Sequence, residues 1–103
     1  MIFAYVTFPA LAEAEAVAGT VVSEHLAACA NIFPGMTSVY RWNGSVEKST
    51  EVTVIFKTRE ELWLDLERRI RTLHSYDTPC IVAFPLTKVS NGFMKWMISE
   101  TER

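Results

Sequence analysis

The side chains of this chain best placed for chemistry are Glu51, Lys57, His74, Tyr76 and Asp77, which stand beside apolar strands or at the end of a helical stretch. An imidazole can ligate a late transition metal, and a Lys and a Glu beside aromatic walls can hold an anion or a small polar molecule. His74 immediately precedes Ser75-Tyr76-Asp77-Thr78-Pro79. It therefore equally suits a helix C-terminus, where it would complement the dipole and the free carbonyls. His25, next to Glu24, reads as an exposed or half-buried helix residue. Cys29 and Cys80 lie far apart in apolar contexts, so reduced core thiols are expected, with the run around Cys80 raising its pKa. There is no phosphate-cradling glycine loop, no paired Cys or His at metal-ligand spacing and no local nucleophile motif. With no converging acid, base and nucleophile, an enzyme is not expected.

The elements that must position these residues follow from periodicity. Ile2–Phe8 alternates as a strand that Pro9 closes, and Ala10–Ala28 carries Leu11, Ala14, Ala18, Val21, Val22 and Leu26 at helical spacing. Gly19 inside that helix suggests close packing against a sheet. Pro34-Gly35 reads as a turn, and Met36–Trp42 and Ser45–Lys57 as the arms of a long hairpin around Asn43-Gly44, whose type I′ turn needs positive φ at both central positions. Thr58-Arg59-Glu60-Glu61 has the form of a capping box opening a helix to Leu73, with Leu62, Leu66, Ile70 and Leu73 as its buried stripe. Cys80–Phe84 reads as a short strand buried on both faces, and Ser90 as the cap of a last helix carrying Phe93, Met94, Trp96 and Met97. The order is βαββαβ with an added C-terminal helix, an α+β, ferredoxin-like arrangement with an antiparallel sheet.

At 103 residues the chain is one domain, spanning residues 1–103. Its 50% apolar content suits burial against copies of itself, and its net charge of −2 gives no basic stripe for nucleic acid. No targeting signal and no run of membrane-spanning length appears, so a cytoplasmic location is expected. Two helices cover one face of such a sheet and leave the other open. Phe3, Tyr5, Tyr40, Val54, Phe56, Ile81 and Phe84 are too many apolar residues for the covered face alone, which predicts an interface.

The segment Ala27-Ala28-Cys29-Ala30-Asn31-Ile32-Phe33-Pro34-Gly35 and the following Ser38-Val39-Tyr40-Arg41-Trp42-Asn43-Gly44 resemble the CutA family of divalent-cation tolerance proteins. The likeness continues through Glu51, Lys57-Thr58, His74-Ser75-Tyr76, Thr78-Pro79, Pro85 and Phe93-Met94-Lys95-Trp96. It implies a homotrimer whose sheets face one another around a threefold axis, and a role linked to divalent metal, notably copper. It also implies that Tyr40, Trp42, Glu51, Lys57 and Tyr76 gather around clefts between subunits. The plainer alternative is that Trp42 packs the hairpin tip on a neighbour while Glu51 and Lys57 form an interface ion pair. Copper-binding relatives resemble this chain but carry a cysteine where Val6 stands and a histidine where Leu73 stands, with a proline in place of Ser75. His74 is the one ligand left, so weak binding of copper or another divalent cation, and no obligatory cofactor, is the expectation. The trimer implied also resembles PII signalling proteins, which gives a second reading, a small-molecule sensor or adaptor.

Overall fold

Strand β1 (Ile2–Phe8) sits inside a four-stranded antiparallel sheet, flanked by β3 (Ser45–Thr58) on one side and β4 (Ile81–Pro85) on the other. Strand β2 (Cys29–Trp42) completes the order β2-β3-β1-β4, in a computed structural model that describes residues 1–102. Helices α1 (Leu11–Ser23) and α2 (Trp63–Leu73) connect the strands, and α3 (Asn91–Glu100) follows β4. This is the α+β, ferredoxin-like order that the periodicity predicts.

Period-two alternation sorts the sheet into two faces. Ile2, Ala4, Val6 and Phe8 of β1 join Val52, Val54 and Phe56 of β3 on the buried side. Ala14, Val17, Ala18 and Val21 of α1 and Leu66 and Ile70 of α2 close the same core. The alternate residues, Phe3, Tyr5, Thr53, Ile55, Lys57, Val82 and Phe84, occupy the other face by register. There α3 reaches only one end, and Phe33, Val82 and Phe84 remain 52%, 50% and 43% exposed.

Several local expectations are corrected. Pro34-Gly35 is no turn: β2 runs through it as a β-bulge that shifts the register between Phe33↔Thr53 and Met36↔Glu51, with Gly35 at φ +77. The resulting 14-residue strands project as an arm, and the molecule extends over 45 × 26 × 22 Å. Helix α1 stops at Ser23, five residues early, because His25 adopts φ 61. The Leu26 amide then bonds Val21 O and the His25 amide bonds Val22 O, a Schellman ending built on histidine instead of glycine. His25 thus lies past the helix, where its Nδ1 is 2.9 Å from Glu100 O.

The capping box does not form, since the Thr58 hydroxyl donates to Leu26 O at 2.8 Å inside the core. A 3-10 turn over Glu60–Leu62 precedes α2 instead. Strand β4 is a sheet edge and exposed over most of its length, not buried on both faces, and Cys80 is accordingly exposed while Cys29 is half-buried. Gly19 faces solvent with nothing within 4 Å of where a Cβ would sit, so no close packing requires it. No described helix is long and apolar enough to cross a membrane.

Candidate functional site

Two polar clusters lie along β3, one at Glu51 midway along the strand and one at Lys57 near its C-terminal end. The first forms where α2 ends against the finish of β1. His74 caps α2, its amide bonding Ile70 O at 2.9 Å, and its side chain is wholly buried. The ring stacks on Phe8 with centroids 4.5 Å apart and an interplanar angle of 14°. Nε2 lies 2.7 Å from the Thr7 carbonyl, which can only accept, so Nε2 carries the proton. Nδ1 accepts the Tyr76 amide at 3.1 Å, so the ring is the neutral tautomer. Glu13 Oε2 is 3.7 Å from Nδ1, beyond hydrogen-bonding range, and accepts the Ser75 amide at 3.1 Å instead.

Held in this way, Tyr76 directs its hydroxyl to Glu51 Oε2 at 2.9 Å. Burial first, then the hydrogen bond and charge of Glu51, with smaller pushes from Tyr40 and Glu13, raise the Tyr76 phenol to about 12. Cys80 belongs to the same surroundings: burial raises its thiol pKa, and Glu51 adds to the effect. Among the described residues, neither Glu51 nor Glu13 has a Lys or Arg within ion-pair distance.

The second cluster centres on Lys57. Its Nζ lies 5.4 Å from the Phe3 ring centroid and 5.5 Å from that of Phe93, a cation held between two aromatic faces. It too has no carboxylate partner among the described residues. Cys29 is its partner in the strand register; burial raises the Cys29 thiol pKa, and the ammonium partly offsets that. Six residues of extended strand, roughly 20 Å, separate Lys57 from Glu51.

The five residues expected to share a pocket are therefore divided within one chain. Glu51 and Tyr76 are bonded and Tyr40 lies near enough to add slightly to the raised Tyr76 pKa, but Lys57 stands at the other end of the face. Trp42 is at the hairpin tip, opposite Ser45 and 65% exposed. Glu13, Thr7 and Phe8 were not singled out by the sequence, because they reach His74 only through the packing of α1 and β1. Phe93 lies in a segment that carried the resemblance, but its contact with Lys57 depends on where α3 docks.

The residues present do not fit a metal centre. No group of three or more His, Cys, Asp or Glu gathers among the described residues, and both His74 nitrogens are already hydrogen-bonded. Val6 is buried in the core and Leu73 packs against it, so neither departure from the copper-binding pattern is compensated nearby. A separate open groove of about 330 Å³ is lined by Ile2, Glu60, Trp63, Ala83 and Pro85, none of which belongs to either cluster.

The model of the CutA1 divalent ion tolerance protein family matches residues 2–100. This chain belongs to the CutA1 family. It is 43% identical to the divalent-cation tolerance protein CutA of Pyrococcus horikoshii over 103 residues, all of both chains. It is 39% identical to the chloroplastic CutA protein of Arabidopsis thaliana over 100 residues, 97% of this chain and 55% of that one. Its fold superposes on the crystal structure of Pyrococcus horikoshii CutA1 with a TM-score of 0.96 at 42% identity, covering 100% of each chain. The match to a CutA structure from Archaeoglobus fulgidus, described as a periplasmic divalent cation tolerance protein, has a TM-score of 0.95 at 40% identity over 99% of this chain and 100% of that one. The CutA1 fold accounts for every element described above.

Proposed function

We propose that this CutA1-family protein acts in tolerance of divalent cations as a non-catalytic homotrimer, in the cytoplasm. The observation that carries the reading is the uncovered sheet face. Phe33, Val82 and Phe84 on it, with Val39, Tyr40, Trp42 and Val46 on the projecting arm, form more exposed apolar surface than a small monomer usually leaves bare. Two free cysteines suit a reducing compartment. The small-molecule sensor reading has no observation of its own.

In the assembly, the Lys57 end of one copy meets the Glu51–Tyr76 end of a neighbour and completes the five-residue pocket. The support is complementarity: each chain presents on one face a cation without a carboxylate and a carboxylate without a cation, too far apart to meet internally. Light scattering should give about three times the 11.7 kDa chain mass. Lys57→Glu and Glu51→Lys should each weaken the assembly, and the double substitution should restore it. A wild-type monomer would overturn the trimer. A trimer indifferent to both charge reversals would overturn the shared pocket. Restored growth on copper of cells lacking their own CutA, when supplied with this chain, is the expected cellular result.

A further inference from the structure

We infer that His74 is a positioning residue for Tyr76, and that the imidazole a metal site would draw on is committed to that task. The inference deepens the proposed pocket by saying what sets its Tyr76 half. It rests on four contacts of one buried ring. Nε2–H donates to Thr7 O at 2.7 Å, which ties the ring to the end of β1. Phe8 stacks on one of its faces, with centroids 4.5 Å apart. Nδ1 accepts the Tyr76 amide at 3.1 Å, and the His74 and Tyr76 rings lie 5.0 Å apart, tilted by 41°.

The ring thus has one tautomer and no free lone pair. A cation on Nδ1 would have to displace the Tyr76 amide. A cation on Nε2 would take the proton that satisfies the Thr7 carbonyl and leave that carbonyl without its partner in the interior, an arrangement that buried backbone avoids. The first displacement would also release the backbone that aims the Tyr76 hydroxyl at Glu51, 2.9 Å away. His74 therefore acts on the pocket through Tyr76, as second-layer histidine partners orient a functional group without touching its ligand.

The two nitrogens can be tested separately. In His74→Asn the amide oxygen falls near the Nδ1 position and still accepts the Tyr76 amide. In His74→Gln the amide group reaches towards Thr7 and leaves the Tyr76 amide without its acceptor. Titration of Tyr76, isolated by difference from Tyr76→Phe, should stay near 12 in wild type and His74→Asn. In His74→Gln it should move towards the ordinary tyrosine value of about 10. Nitrogen NMR of the wild-type protein should show a neutral His74 protonated on Nε2, unchanged when copper(II) is added at equimolar amounts. These contacts all lie within one chain, so the result stands whether or not the protein is a trimer. A wild-type ring protonated on Nδ1, or a His74→Gln protein whose Tyr76 titrates as in wild type, would overturn the inference. So would copper that displaces the Tyr76 amide at equimolar ratio.

Discussion

Removing the Tyr76–Glu51 contact by Tyr76→Phe, Glu51→Gln and their combination should reveal a coupling of about 1 kcal/mol. A hydrogen bond to a charged acceptor contributes roughly 1.5–3 kcal/mol when buried. The 2.9 Å geometry is good, but Tyr76 is 37% exposed, so solvent screening moves the expectation below that range, to about 1 kcal/mol. Urea unfolding of the four proteins at one fixed concentration measures it, the concentration being held because assembly makes apparent stability depend on it. The pH dependence supplies an independent sign. Below the unfolded tyrosine pKa of about 10 both states keep the phenol proton, and the contribution is fully present. As pH rises towards the folded value of about 12, the unfolded chain ionises first and the contribution is lost. Wild type should therefore lose stability more steeply than Tyr76→Phe over this window. A coupling below about 0.3 kcal/mol, or identical alkaline slopes, would refute the reasoning.

Trp42→Ala should weaken the proposed trimer by up to ~3–5 kcal/mol if the neighbour buries the indole, and light scattering against dilution would show it; unchanged dissociation would leave the hairpin tip in solvent. Gly19→Ala should raise stability by about 0.5–1 kcal/mol, read as a higher melting temperature, since a helical position with open space gains only propensity. Thiol labelling of native protein should modify exposed Cys80 before half-buried Cys29, and the rise of both rates with pH should fall above the range of a free thiol, because each pKa is raised. Calorimetry with copper(II) should find no affinity tighter than about micromolar, as one histidine without partner ligands cannot close a site.

The architecture was legible because its signals are periodic. Alternation in Ile2–Phe8 identified a strand without saying which of its faces is the core, and Leu62, Leu66, Ile70 and Leu73 identified the inner side of the 3-10 turn and α2. The errors arose where long-range packing outweighs a local signal. Thr58 matches a cap in sequence, but its hydroxyl meets Leu26 O across the core. Pro34-Gly35 matches a turn, but pairing with β3 on both sides carries the strand through it. Strand β4 has the composition of a buried strand, yet it borders only β1. Composition cannot tell burial within a chain from burial against another. The candidate site was half legible for the same reason. The residue types were found, but which of them meet depends on β3 being long enough to keep Glu51 and Lys57 apart.

The sheet has two bare edges, β2 on one side and β4 on the other, and they belong to different strands. A contact between the β2 edge of one copy and the β4 edge of the next is head-to-tail, and such a contact either closes into a ring or propagates without limit. Closure is a matter of angle, and the bulge at Phe33/Met36 sets the local twist of the β2 edge. A change that straightens this bulge, such as replacing Gly35 at its positive φ, would do more than cost stability. It would alter the angle at which successive copies meet, so the expected failure is an open filament of well-folded subunits, visible by electron microscopy.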